Sequence, residues 1–320
     1  MSKLLITGAL GHIGSRLIHE IVPGEFEEVV LLDNMFTQRY ASLFDLPAGV
    51  NFTFVEGDVL TADLDKIMKD IDFVVHLAAI TNAEGSFDIQ EKVEEVNFDG
   101  TVKVAEACVR TGSKLVFLST TSVYGTQELE VDENCPETDL QPQSPYAKSK
   151  LKAEKFLSEI SSRENLKFIT CRFGTIYGAS IGMRFHTAVN KFIWQACLGK
   201  PITVWRTALN QKRPYLALSD AVKALRFIMD KNIFDNGVYN VLTDNATVGE
   251  IAETIKSFVP DLQVTYVDAR IMNQLSYTVA NRKFTSLGFR FTGSLTKDVE
   301  ITVRLLNGVR HKGKSVIAHN

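Results

Sequence analysis

Tyr146 stands four residues before Lys150 in the stretch "SPYAKSK" (144–150). On a helix, positions i and i+4 share a face and their side chains meet. A phenol beside an ammonium is then either a surface pair or the start of an acid–base pair. A second stretch, "TGALGHIG" (7–14), follows a short apolar run and opens an amphipathic one. Gly8 there permits a tight turn, Gly11 lets backbone approach a pyrophosphate, and Gly14 allows close packing of helix on sheet. The N-terminus of the following helix turns unpaired N–H groups toward phosphate. Asp33 ends the next apolar run. Its carboxylate can accept from both hydroxyls of a ribose and would repel a 2′-phosphate, which favours NAD over NADP. The bland reading of the same residues is a glycine-rich turn and a capping aspartate.

The elements that must position these groups alternate. Apolar strand-like runs lie at 3–7, 28–33, 50–58, 72–79, 114–120 and 166–174. Helical stretches fall after Gly14, around 63–70, over 96–112 with a glycine stop, and from Ser144 and Pro145 onward. Short apolar strands separated by helices predict βαβ units and a doubly wound parallel sheet covered on both faces. After Gly178 the rhythm changes. The segment 179–210 reads as mostly helix followed by "KPITVW", 213–229 as strand, cap and helix, and 237–241 as a strand. A helix over 247–258, the strand "QVTYVD" and two more helices follow. The expected division is a cofactor domain of 1–178 to which 211–242 returns, and a smaller mixed α/β substrate lobe of 179–210 and 243–320. Ligands in such folds bind at the carboxyl ends of the strands, between lobes.

Composition narrows the function classes. Of 320 residues, 45% are hydrophobic and 23% charged, with a formal net charge of −3. This is the balance of an ordinary globular protein. No basic stripe points to nucleic acid. The four cysteines and six histidines do not cluster, so no metal site is expected, and the cysteines read as reduced packing residues of a cytoplasmic protein. The N-terminal apolar run is too short for a secretory signal, and nothing reaches the length of about 18 apolar residues that a membrane span needs.

The ordered motifs resemble those of the extended short-chain dehydrogenase/reductase family, in its nucleotide-sugar epimerase/dehydratase branch. They are TGxxGxxG at 7–14, "LLDN" at 31–34, "GDV" at 57–59, "HLAA" at 76–79, Asn97 in "VNFDGT", "STTSVYG" at 119–125, "YAKSK" at 146–150, "RFGTIYG" at 172–178 and "RPYLALSD" at 213–220. The resemblance implies that Tyr146 is the general acid/base and that Lys150 tunes it and holds the nicotinamide ribose. A free phenol has a pKa near 10, so a nearby positive charge is needed to favour phenolate at neutral pH. It implies Thr120, four residues before the tyrosine of the "VYG" motif, as the hydroxyl that orients the substrate alcohol, with Ser122 close by. The implied NAD set is Gly8, Gly11, His12, Ile13 and Gly14 in the loop, and Asp33 with Asn34. Asp58 and Val59 should lie by the adenine, and Leu77, Ala78 and Ala79 beneath the pyrophosphate. Asn97, Phe173 and the Tyr146–Lys150 pair complete it. On the substrate side, Arg213 matches the arginine of an RDY motif, here written RPY, and Arg270 is spaced like a second phosphate-binding arginine. Trp205 falls where relatives place an aromatic against the base, and Thr175 where many 4-epimerases have asparagine.

Sugar-nucleotide 4,6-dehydratases of the family carry Asp-Glu directly after the catalytic threonine; here Thr121 and Ser122 stand there, which counts against that dehydration. The expected activity is NAD-dependent oxidation at C4 of a nucleotide-diphosphate sugar by a 4-epimerase. A 4-dehydrogenase or 4-ketoreductase that releases its product is the alternative, and a non-catalytic NAD-binding regulator a further one. The segment 184–196 should pack inward as a helix, with His186 structural. Relatives often dimerise through two helices per subunit, here near 91–111 and 146–161. Leu151, Phe156, Leu157 and Ile160 on one, and Val93, Val96, Val102, Val104 and Val109 on the other, predict a homodimer on those faces.

Overall fold

A computed structural model describes residues 1–125, 130–268, 276–306 and 308. Its centre is a seven-stranded, wholly parallel sheet. The strand order is 238–241, 168–173, 114–120, 73–76, 3–7, 28–33, 52–56. The order reverses between Lys3–Thr7 and Phe73–His76, so a crevice opens at their carboxyl ends. Nearly unbroken burial of "LLIT", "VVLL" and "LVFLST" follows from helices covering both faces.

On one face, helices His12–Glu20 and Leu218–Asp230 bury Leu17, Ile18, Val222, Leu225 and Ile228. On the other, Gly100–Thr111 and Pro145–Glu164 bury Val104, Cys108, Leu157 and Ile160. The helix Pro145–Glu164 starts where local chemistry dictates. Ser144 Oγ accepts from Ala147 N–H, Pro145 supplies a preset φ in the first turn, and Asn165 closes the far end with φ of +58°. The helix expected over 96–112 begins earlier, at Gln90, and carries a π turn over Glu95–Asp99 before continuing to Thr111. That turn contains Asn97, whose side chain is committed elsewhere, as described below.

The second lobe is built on a three-stranded sheet ordered 244–247, 212–217, 175–177, and on the parallel pair 202–205 with 264–267. Helices Ala188–Cys197, Val248–Phe258 and Leu295–Leu306 close its core. The segment 179–210 is less helical than its apolar content suggests. Only Ala188–Cys197 is α-helical, and 178–184 is an irregular strap laid over the first helix. The reason is long-range: Gly182 backbone packs so tightly on the glycine loop that an added Cβ would come within 2.5 Å of Leu10 O. The strand Val238–Val241 joins the edge of the main sheet beside Phe168–Phe173. The four cysteines are free thiols. Among the described residues no helix is long and apolar enough to cross a membrane.

Candidate active site

The glycine loop is locked by close approach. Gly8 has φ of +64°, and a Cβ there would lie 2.6 Å from Ala78 N. Its N–H donates to Leu32 O, tying the loop to the second strand. Gly14 faces Ala9 O, where a Cβ would intrude to 2.4 Å. Asp33 holds the loop as well as offering a carboxylate: Oδ2 accepts from Leu10 N–H at 3.0 Å and Oδ1 from Met35 N–H at 2.9 Å. Asn34 donates to Asp58 Oδ2 at 2.9 Å, which brings those two positions together at the mouth of the groove. Val59 is buried in the core beneath, and Ile13 packs partly against the core on the other face.

Leu77 N–H donates to Thr7 O, and Ala78 N–H to Thr7 Oγ1. Leu77, Ala78 and Ala79 thus continue the fourth strand under the glycine loop. Asn97 clamps the next residue: Oδ1 accepts from Ile80 N–H at 2.8 Å, and Nδ2 donates to Ile80 O and to Ser149 Oγ. Ser149 Oγ donates in turn to Tyr146 O at 2.8 Å. Behind this chain sits His76, fully buried, hydrogen-bonded to Thr7 Oγ1 and Thr101 Oγ1. Burial and the charge of Lys150 push its pKa down to about 3, so it is neutral. Nothing in the short "HLAA" motif announces that scaffolding role, because both partners come from other elements.

Thr120 ends the fifth strand and Tyr146 starts the helix Pro145–Glu164, and the Thr120 hydroxyl lies close enough to the phenol to act on its ionisation. Thr120 Oγ1 also accepts from Ser122 N–H. Lys150 lies one turn after Tyr146, buried, with Nζ 4.8 Å from the Phe117 ring centroid. Burial pushes its ammonium down to about 8, opposed by Glu154. The phenol of Tyr146 departs from the lowered pKa expected of it. Burial raises it above its ordinary range, and the Arg184 charge and the Thr120 hydroxyl only partly offset this. Thr121 is buried and donates to Phe173 O, while Ser122 is exposed, so neither places an acid beside Thr120. Phe173 pairs with Thr120 in register and is itself core.

The residues expected to meet a sugar nucleotide are spread over the second lobe. Thr175 and Arg213 lie on adjacent strands, with Tyr215 opposite Thr175. Arg213 stacks on the Tyr277 ring at 5.5 Å, and its Nη1 donates to Lys212 O. Trp205 ends the strand Ile202–Trp205, partly buried. Arg270 lies outside the described residues.

Two arginines and a buried ion pair escaped the sequence reading. Arg39 Nη1 sits 3.8 Å from where a Gly11 Cβ would be. Arg184 reaches from the strap to Thr81 Oγ1 and acts on Tyr146. Arg172 donates to both carboxylate oxygens of Glu154, one turn beyond Lys150, and to Tyr124 Oη at 2.9 Å. The motif "RFGTIYG" at 172–178 held the only hint of Arg172; Arg39 and Arg184 carry no local pattern.

The family model for the NAD dependent epimerase/dehydratase family matches residues 4–241, the span from the first strand through the last strand of the large sheet. The chain belongs to that family. It is an enzyme of the extended short-chain dehydrogenase/reductase type. This epimerase/dehydratase chain is 32% identical over 238 residues to an uncharacterised UDP-glucose epimerase, YtcB, of Bacillus subtilis, covering 72% of this chain and 73% of that one. It is 31% identical over 300 residues to a trifunctional UDP-glucose 4,6-dehydratase/3,5-epimerase/4-keto-reductase of Arabidopsis thaliana, covering 90% of this chain but only 44% of the plant protein's length. In structure it is similar to a UDP-glucuronic acid 4-epimerase from Bacillus cereus, solved in complex with UDP-glucuronic acid and NAD. The TM-score is 0.85 with 26% identity, over 96% of this chain and 99% of the other.

The site residues of this family member fit the dinucleotide. At Gly8 and Gly14 a Cβ would strike the backbone of Ala78 and Ala9, so these glycines fix the tight turn and the close helix packing of a phosphate-binding loop, and two buried polar atoms beside the groove, His12 Nδ1 and Arg184 Nε, have no hydrogen-bond partner among the described residues. Buried polar atoms usually find a partner in protein, water or a bound group, and here two of the four unpaired ones, with Thr170 Oγ1 and Gln195 Oε1 elsewhere, lie beside the glycine loop.

Proposed function

We propose that this chain is a nucleotide-sugar 4-epimerase that oxidises the C4 hydroxyl of its substrate with NAD. The observation that carries the reading is the Thr120–Tyr146 hydroxyl pair, one helical turn from buried Lys150, at the strand ends beside the glycine loop. NAD, when bound, supplies a hydride acceptor that can return what it takes. Tyr146 is the general base for the C4 hydroxyl proton and the acid that gives it back. Thr120 orients that hydroxyl, and the Lys150 charge favours the phenolate. The Asn97–Ser149 chain fixes the backbone at Tyr146. Asp33 holds the adenosine ribose, with Asn34, Asp58 and Val59 by the adenine and Leu77, Ala78 and Ala79 beneath the diphosphate.

Epimerisation also requires the 4-keto sugar to turn over while its diphosphate stays anchored. Arg213 and Arg270 are assigned to that anchor, Trp205 to the base, and Ser122 and Thr175 to the sugar. The division proposed from the sequence, 1–178 with 211–242 as cofactor domain and 179–210 with 243–320 as substrate lobe, is adjusted in that strands 175–177 and 212–217 join 244–247 in the smaller sheet, and only the strand Val238–Val241 of the returning segment joins the large one. The proposal includes a cytoplasmic homodimer through the helices near 91–111 and 146–161. Val93, Val104, Leu157 and Ile160 are used by the chain's own core, so a partner is left with the polar rims and the partly buried Val96, Val102, Val109, Leu151 and Phe156. Sedimentation equilibrium giving a monomer at micromolar concentration refutes that part.

The test of the activity is incubation with UDP-, GDP-, CDP- and dTDP-sugars, following NADH absorbance and product NMR. A C4 epimer without net NADH is the expected result. Accumulating NADH with a 4-keto product identifies a dehydrogenase instead. Bound NAD without turnover of any sugar nucleotide supports a non-catalytic regulator and refutes the proposal.

A further inference from the structure

The strap 178–184 comes from the second lobe, yet it is bonded to the first helix and the glycine loop. His12 Nε2 donates to Gly178 O at 2.9 Å, Ser180 Oγ donates to His12 O at 2.9 Å, and Gly182 N–H donates to Ser15 Oγ at 3.0 Å. An added Cβ at Gly182 would meet Leu10 O and Gly11 O at 2.5 and 2.7 Å, so the strap lies directly on the loop. At its end Arg184 donates to Thr81 Oγ1, just past the "HLAA" strand end. Across the groove, Arg39 stands over Gly11.

This arrangement is unfavourable for the chain by itself. Arg184 forms no ion pair among the described residues, its Nε is enclosed without a partner, and the charge of Arg39 acts against its own. Asp33 is the acid that offsets Arg39. His12 is 5% exposed. Because its Nε2 donates to Gly178 O, its Nδ1 is the unprotonated acceptor, and it too has no partner. Burial and the Arg184 charge hold this imidazole neutral, with a pKa down to about 3. One unmet donor on a cation and one unmet acceptor beside it call for a ligand that is anionic and carries a hydroxyl. A ribosyl diphosphate is such a ligand. Two guanidiniums with planar forks suit its oxygens.

We propose that Arg184 and Arg39 seat the diphosphate of the dinucleotide from opposite sides of the glycine loop, with His12 Nδ1 accepting from an adjoining ribose hydroxyl. The strap thereby makes the second lobe part of the cofactor site. The glycine loop commits the seat to the cofactor rather than to the substrate's own diphosphate, and the inference rests on the NAD reading above.

The experiment measures NAD affinity of the purified protein by calorimetry, and NAD content after dialysis, for wild type, Arg184→Met, Arg184→Lys and Arg39→Met. UDP affinity is measured in parallel. Charge-assisted bonds of this kind support an expected loss of about 10–100-fold in NAD affinity for Arg184→Met. Arg184→Lys should recover part of it, because it restores the charge without the fork and guards against a folding artefact. Arg39→Met should weaken NAD as well, and UDP affinity should stay within about twofold of wild type. NAD held as tightly by Arg184→Met as by wild type overturns the inference and leaves the NAD reading intact. A selective loss of UDP affinity moves Arg184 to the substrate's diphosphate and also overturns it. A wild type without measurable NAD affinity overturns both readings.

Discussion

Glu154→Gln is the substitution whose cost can be worked out from the structure. The Glu154 and Arg172 side chains are 6% and 5% exposed, and the guanidinium reaches the carboxylate from Nε and Nη2, the latter at 2.7 Å. Ser119 Oγ donates to the same carboxylate, and Arg172 Nη1 continues the network through Tyr124 Oη to Asn240 Oδ1. Glutamine keeps the shape but leaves a buried guanidinium without its counter-charge. Breaking one partner of a buried pair costs about 3–5 kcal/mol. For a chain of this size that is a fall in Tm of roughly 6–10 °C, taking about 2 °C per kcal/mol. Thermal unfolding followed by circular dichroism reads it directly. The double variant Glu154→Gln with Arg172→Met should regain much of the loss, because no charge is left unpaired. Glu154 also raises the pKa of Lys150, so its loss should drive that ammonium further down and move the pH–rate profile to lower pH. A single variant within 2 °C of wild type, or a double variant no more stable than the single, refutes the reasoning.

Tyr146→Phe should lower turnover by about 10²–10⁴-fold with NAD affinity nearly unchanged, since the ring keeps its packing while the transferable proton is gone; wild-type rates would remove the acid–base role. Asp33→Ala should weaken NAD and relax discrimination against NADP. It also releases Leu10 N–H from its partner, so the loop itself should loosen, and a wild type that prefers NADP contradicts the reading. Lys150→Met should abolish activity yet stabilise the fold at neutral pH. The folded-state pKa of about 8 lies below the ordinary 10.5, so the unfolded chain binds the extra proton between these values. Wild-type stability should therefore rise with pH from about 8 to 10.5 relative to the variant, and parallel urea titrations with no such convergence would contradict it.

Much of this enzyme is legible along the chain because its signals are local. The strand Lys114–Thr120 and the start of the helix at Pro145 fall where the apolar run and the Ser-Pro pair place them, since strand burial and helix capping act over a few residues. The motif "TGALGHIG" likewise carries its own geometry: Gly8 takes φ of +64° and Gly14 sits where no Cβ fits. The extent of helix in 179–210 was not legible, because Gly182 is held by contacts with Leu10 and Gly11 that no neighbour in sequence signals. Nor was the π turn at Asn97, whose side chain answers to Ile80 and Ser149 rather than to its own helix. Charge has no period along a chain. Arg172 lies in a run read as a strand, Arg184 in a stretch read as an inward-packing helix and Arg39 in no motif, and only the strand order and the strap decide that Arg39 faces Gly11, Arg172 faces Glu154, and Arg184 faces Thr81 beside Tyr146. Sequence alone determined the strands, the helix caps and the glycine turns beside which the candidate groups stand; the tertiary structure decided which charges surround those groups, because electrostatic partners are set by distance in space.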